Sequence, residues 1–196
     1  ALSYLTAWRM LRKAELRGGD HVLITGIGGG VALAALGLVR HFGAHAIVTS
    51  RSAKKLDRAA SLGAAEGILD TGDDWSRAVR AWTKKRGVDV AIDSVGKAVH
   101  LSCVKSLRRG GTLVLCGCTS GPDATTDLAR VFWNQLNILG STMGDMAEFR
   151  EVVALMRSGA LHPVLDTVVP PDAASEAYAR LESGDQFGKV VVDWGG

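Results

Sequence analysis

The sequence predicts an α/β fold, a doubly wound six-stranded parallel sheet with a C-terminal helical extension and a tail strand. Three observations carry that reading. Short runs that are apolar on both faces alternate with longer helical patterns almost throughout, as βαβ units require when helices cover both faces of a parallel sheet. A glycine-rich turn, Gly26-Ile27-Gly28-Gly29-Gly30, joins the first such run to a long apolar helix pattern. Gly43, Gly63 and Gly87 each stop a helix pattern shortly before the next strand, the usual place for a residue that tolerates positive φ.

The elements follow in order. An amphipathic helix over 2–16 leads to a β-prone run at 21–25 and an apolar helix over 31–42. Strand 46–50, helix 53–62 and strand 67–69 come next, then a helix over 74–85 capped by Asp73 or Asp74. Strand 88–92, helix 98–107, strand 112–116, helix 127–135 and strand 137–140 complete six strands. Six is the number in a sheet of order 3-2-1-4-5-6 with right-handed crossovers. A helix over 147–158, an extended piece over 164–169, a helix over 173–182 and a tail strand over 189–192 remain. Pro170 and Pro171 precede that last helix, where a first turn tolerates proline. The organisation is therefore a connecting helix (1–17), a dinucleotide-binding domain (18–144) and a C-terminal extension (145–196).

Bulk properties exclude several classes. Hydrophobic residues make up 47% of the 196, enough for a sizeable core, and the net charge is only +3. No basic run interleaves with aromatics, so nucleic acid is not an expected partner. No apolar stretch approaches the roughly 18 residues a membrane span needs, and the first residues lack a cleavage pattern. Three cysteines, an odd number, argue against a disulfide framework and for a cytoplasmic location. The chain starts at Ala1 inside a helix pattern, as a piece of a longer protein would.

The glycine turn is the first functional signal. A strand-to-helix turn leaves backbone N–H groups without partners, and the helix dipole adds positive potential. Glycines let the backbone take positive φ and let a pyrophosphate approach. The small residue where helix meets strand is Ala32 rather than glycine, which such turns tolerate. The turn follows a strand and opens a helix in the first βαβ unit, as a Rossmann dinucleotide site requires. It is no P-loop, since no Lys-Ser/Thr follows the glycines.

The second strand selects the dinucleotide. NAD sites usually end that strand with Asp or Glu for the ribose 2′-hydroxyl. Here it ends Val48-Thr49-Ser50-Arg51-Ser52, with Lys54 and Lys55 close behind. Hydroxyls and cations suit a 2′-phosphate, so NADP(H) is expected, with Arg51 as fork and Lys55 as point charge. The missing acid also weighs against a methyltransferase, which normally binds its adenosyl ribose through one.

The stretches LTAWRML, GIGGGVALAAL, VTSRSAKKL, VDVAIDSVG, LRRGGTLVLCGCTSG, LNILGSTMG and QFGKVVVDW together resemble the medium-chain dehydrogenase/reductase superfamily, above all its quinone-oxidoreductase-like and zinc-binding dehydrogenase members. The resemblance covers essentially the whole chain. It implies that an N-terminal GroES-like domain, which supplies most of the substrate pocket, lies outside the chain, and that the tail strand would return to it. It also implies a role for each matching position. Gly26, Gly28, Gly29, Gly30 and Val31 would hold the pyrophosphate. Ser50, Arg51 and Lys55 would read the adenosine ribose and its phosphate, with Ser94 and Val95 near the adenosine. Cys116, Gly117 and Cys118 would line the nicotinamide ribose, Ser141, Thr142 and Met143 would meet the carboxamide, and Thr6 would approach the ring. Lys189 would stand near the phosphates.

Zinc-dependent relatives place a ligand cysteine four residues before that threonine; here the position is Leu2. Cys116 and Cys118 lack a second pair, and Gly43 separates His41 from His45, so no metal is expected. His21, His100 and His162 read as surface or loop residues, and Asp70 and Asp93 as structural acids. The expected function is the NADP(H)-binding domain of an oxidoreductase that moves hydride to or from a small carbonyl, quinone or enone, with no catalytic residue inside this chain. A zinc alcohol dehydrogenase and a non-catalytic NADP-sensing module are the alternatives. The apolar sixth strand is an exposed edge, and a homodimer through it is expected. The tail strand, without its usual partner, is expected to be loose or to find another.

Overall fold

A computed structural model of the protein describes residues 2–195. The sheet comprises β1 (His21–Ile24), β2 (His45–Ser50), β3 (Glu66–Leu69), β4 (Val88–Asp93), β5 (Leu107–Leu115) and β6 (Asn137–Gly140). All pairs are parallel, in the order β3-β2-β1-β4-β5-β6. Alternation along the central strands sends Val22 and Ile24 to one face and Leu23 to the other. The first face carries α1 (Leu2–Lys13) and α2 (Gly30–His41), with α3 (Ala53–Ser61) beside them. The second carries α4 (Ser76–Trp82) and α5 (His100–Ser106). Then α6 (Leu128–Trp133) leads into β6, and α7 (Met146–Arg157) packs against α1.

Local chemistry explains the boundaries. Asp145 caps α7 in a reciprocal capping box with Glu148, and Arg9 on α1 pairs with both carboxylates, which ties the two helices together. Asp127 caps α6 through the Arg130 N–H. Helix α4 starts later than expected, with Trp75 at the N-cap and no side-chain capping bond, so neither Asp73 nor Asp74 is the cap; Asp74, one position before Trp75, instead accepts from the N–H and the hydroxyl of Ser76. Helix α5 begins at His100 rather than at 98, because Lys97 and Ala98 bond across to Gly121 O and Ser120 Oγ. Strand β5 begins earlier than the sequence suggests, at Leu107, and the β4–β5 register then shifts. The shift frees Arg108 to reach Asp89, which also takes Arg86.

Two histidine expectations are corrected. His100 is buried and bonded through Nε2 to Thr126 Oγ1 at 2.7 Å. His21 is half-buried, edge-on to the rings of His45 and Trp82. Both lie where the chain folds back on itself, information that isolated positions in a sequence do not carry.

The extension adds β7 (Leu165–Val169), a 3-10 turn (Pro171–Ala173), α8 (Ala174–Glu182) and β8 (Lys189–Val192). The tail strand has a partner: β8 pairs with β7 in a separate two-stranded parallel sheet.

Candidate functional site

Because every strand of the main sheet runs the same way, the residues that follow β1, β2, β4, β5 and β6 share one edge. The chain changes direction between β1 and β4, the place where open α/β sheets form a ligand crevice. The glycine turn lies at that point. Ile27 N–H donates to Thr49 O at 2.9 Å, which holds the turn against the end of β2. Gly26 and Gly28 have φ of +65° and +115°. Gly29 caps α2 without any side-chain hydrogen bond, so the first N–H groups of that helix point outward without side-chain partners.

Three side chains surround the turn. A Cβ placed on Gly28 would stand 2.9 Å from Lys55 Cδ, and one on Gly30 would stand 2.8 Å from Ser3 Oγ and 3.2 Å from Lys189 Nζ. Two lysines and a hydroxyl therefore converge on bare backbone with outward N–H groups. That cradle is chemically matched to a diphosphate. Burial lowers the Lys55 pKa from its usual value, and its ammonium donates to Gly184 O at 2.5 Å. Ser3 was not visible as a site residue in the sequence. It lies three residues before Thr6 on α1, hence on the same helix face, and that spacing was the available signal.

At the end of β2, Ser50 is buried, its Oγ accepting from Ser52 N–H, while Arg51 is exposed beside it. Val95 packs on Gly26, where an added Cβ would stand 2.9 Å from its Cγ2. Ser94 is half-buried next to it, and its carbonyl stands 3.0 Å from a Cβ placed on Gly117. The two loops after β4 and β5 thus close on each other. Asp93 holds the first of them: Thr25 Oγ1 donates to it at 2.6 Å and the N–H groups of Val95 and Gly96 at 2.8 and 3.1 Å. Burial raises its pKa against those hydrogen bonds. It therefore clamps the loop after β4 to the end of β1.

After β5, Cys116 is half-buried and Cys118 exposed. Burial, reinforced by the nearby Asp93 charge, pushes the Cys116 thiol up to about 11, which keeps it protonated at neutral pH. Ser141 is buried after β6, with an Oγ that has no hydrogen-bond partner. Such an orphan asks for a partner from outside the chain. Thr142 and Met143 beyond it are exposed, Met143 with φ of +45°. Thr6 is buried, and its hydroxyl donates to Leu2 O at 3.0 Å, leaving only acceptor capacity.

Among the described residues no three His, Cys, Asp or Glu side chains converge as a metal site would require. Leu2 is apolar and exposed where a ligand would be needed. The described residues therefore do not supply a zinc site of their own.

A doubly wound six-stranded sheet with a glycine turn and two lysines at its switch point has the form of a nucleotide-cofactor domain. The comparisons agree. Residues 30–158 match the family described as zinc-binding dehydrogenase. The chain belongs to that family, and it is a cofactor domain of the medium-chain dehydrogenase/reductase superfamily. It is 30% identical over 199 residues to the zinc-type alcohol dehydrogenase-like protein YogA of Leptosphaeria maculans, covering 96% of this chain and 55% of the relative. The crystal structure of an NAD-dependent alcohol dehydrogenase superposes with a TM-score of 0.91 at 38% identity, over 98% of this chain and 57% of that one. The 2-octenoyl-CoA carboxylase reductase CinF, solved with NADP and 2-octenoyl-CoA, gives 0.90 at 29% identity, over 99% and 49%. The chain thus spans about half the length of these relatives. No helix among the described residues is long and apolar enough to cross a membrane.

Proposed function

We propose that this chain is the NADP(H)-binding domain of an oxidoreductase that moves hydride between nicotinamide and a small carbonyl, quinone or enone substrate. The single observation that supports NADP over NAD is the end of β2. Arg51 is exposed there, and the strand end Ser50-Arg51-Ser52 carries no carboxylate of its own. A carboxylate would accept from a ribose hydroxyl and repel a phosphate; a guanidinium does the reverse.

The bound nicotinamide would supply the hydride donor or acceptor. This chain's residues bind and orient it. The N–H groups at the start of α2, with Lys55 and Lys189, take the diphosphate. Ser50 and Arg51 take the 2′-phosphate, with Ser94 and Val95 walling the adenosine. Cys116, Gly117 and Cys118 face the second ribose, and Thr6, Ser141, Thr142 and Met143 orient the carboxamide, the unpartnered Ser141 hydroxyl being its donor or acceptor. A protonated Cys116 leaves no thiolate to intercept an electrophilic substrate. The groups that contact the substrate belong to the rest of the enzyme, for which a GroES-like domain is proposed, in the cytoplasm.

Titration with NADPH and NADH tests the reading. The protein should bind NADPH more tightly, and Arg51→Ala should weaken NADPH by about 10- to 100-fold, the worth of a charge-assisted hydrogen bond pair. NADH affinity should change less than twofold. Equal losses for both nucleotides, or tighter NADH in the unmodified protein, would overturn the NADP reading.

A homodimer through β6 is also proposed. Among the described residues that strand has no partner on its outer side, and the adjacent α6 exposes Leu128, Phe132 and Trp133 by 73%, 62% and 70%. Large apolar side chains beside an open edge favour pairing with a second copy. Light scattering at high protein concentration should give a dimer mass; a monomer would refute it.

A further inference from the structure

The segment from Gly184 to Lys189 lies across the glycine turn as a strap. Lys55 Nζ donates to Gly184 O, Gly188 N–H donates to Gly28 O at 3.0 Å, and Lys189 ends over Gly30. A short loop has no intrinsic reason to hold that course, and one side chain from β7 explains it. Asp166 has a carboxylate only 2% exposed. Its Oδ1 accepts from Phe187 N–H at 2.8 Å and from Arg180 at 3.1 Å, and its Oδ2 accepts from Arg180 Nε at 2.8 Å and Thr167 Oγ1 at 3.0 Å. Arg58 of α3 stands 3.8 Å from Oδ1 and places its guanidinium 4.3 Å from the centroid of the Phe187 ring. Phe187 itself is buried in the core shared with α2. Asp166 thus joins three elements: α3, which follows the adenosine end of the site; α8; and the strap that carries Lys189.

We propose that Asp166 is a positioning residue for the cofactor's diphosphate, acting through the strap so that Lys189 is aimed at the start of α2. The inference rests on the reading of the glycine turn as a nucleotide seat. The carboxylate touches no part of that seat; its partners are Arg58, Thr167, Arg180 and the backbone of Phe187. Only Gly188 separates Phe187 from Lys189, and its N–H is held by Gly28 O, so fixing the Phe187 N–H and ring sets the direction in which the lysine leaves.

The sign of the effect separates this role from simple electrostatics. Asp166 is an anion near an anion-binding seat. Neutralising it leaves Arg58 and Arg180 with more uncompensated positive charge, and Coulomb's law alone then predicts tighter phosphate binding. Positioning predicts the opposite.

The experiment is a double-mutant cycle on NADPH affinity in the unmodified protein, Asp166→Asn, Lys189→Ala and the double variant, with folding checked by circular dichroism. Asp166→Asn should weaken NADPH by about three- to tenfold, the coupling expected of residues in one network. In the Lys189→Ala background the same substitution should change affinity less than twofold. Arg180→Lys, which keeps one ion pair and loses the fork, should show a smaller loss with the same dependence on Lys189, and it carries the test if Asp166→Asn does not fold. Tighter binding by Asp166→Asn, or a loss that is the same in both backgrounds, would overturn the positioning role while leaving the nucleotide seat standing. An unmodified protein that binds neither NADPH nor NADH would overturn both.

Discussion

Replacing Gly28 with alanine tests the geometry of the turn at its tightest point. Gly28 has φ of +115°, beyond the left-handed region near +50° to +70° that other residues sometimes occupy. Holding a residue with a Cβ there costs about 1–3 kcal/mol. The new methyl would also stand 2.9 Å from Lys55 Cδ and 3.5 Å from Gln186 O. The lysine stem can swing away, which releases its ammonium from Gly184 O at an exposed site and costs about 0.5–1 kcal/mol more. The sum is a loss of about 1.5–4 kcal/mol, and for a chain of this size each kcal/mol lowers Tm by about 2–4 °C. Gly30→Ala is the internal comparison. Its φ is ordinary for a helix and alanine favours helix by about 1 kcal/mol, which offsets the crowding against Ser3 Oγ and the mobile end of Lys189. Urea unfolding of the two variants and NADPH titration of each form the assay. Both should lose nucleotide affinity, because either methyl projects into the cradle, but only Gly28→Ala should lose stability by more than 1 kcal/mol. Equal unfolding midpoints for Gly28→Ala and the unmodified protein would refute the reasoning from backbone conformation.

Two further perturbations probe the frame around the site. Asp89 has a side chain only 4% exposed. Burial opposes its ionisation, but hydrogen bonds from Arg86, Arg108 and the His21 N–H outweigh that and hold the carboxyl well below the usual range. Asp89→Asn should therefore destabilise by about 1–3 kcal/mol in urea unfolding, the arginines being exposed enough to regain water; a change under about 0.5 kcal/mol would contradict this. Asp74, bonded by Lys105 and Ser76, has its pKa lowered from 3.8 to about 2. A carboxyl depressed on folding adds stability above its unfolded pKa and loses it as pH falls through the folded one. The difference in unfolding free energy between the protein and its Asp74→Asn variant should thus shrink between pH 4 and pH 2, by under about 1 kcal/mol at so exposed a pair. A difference that grew toward low pH would reverse the assignment.

The sheet, its order and the glycine turn were legible in the sequence because each rests on local information. Both-face apolar strands, helix stops at Gly43 and Gly63, and bare backbone at 26–30 depend on residues a few positions apart. The place of Lys55 just after the second strand marked it as a basic residue near the site and pointed it at the adenosine ribose phosphate; that it stands over Gly28 depends on how α3 packs. Where a boundary was misjudged, a distant partner had decided it. Strand β5 starts at Leu107, where a register shift lets Arg108 cross to Asp89, and His100 lies inside, bonded to Thr126.

The sequence by itself determined which edge of the sheet could hold a dinucleotide, because parallel strands all end there and a turn of glycines leaves its N–H groups free. Only the tertiary structure decided what surrounds that turn. Ser3, Lys55 and Lys189 come from three separate elements, and Asp166 organises the last of them through Arg58, Arg180 and Phe187. No periodicity records that convergence, since it depends on how α1, α3 and the tail pack against the sheet. Packing brings together residues more than a hundred positions apart, as Lys189 and Gly30 show.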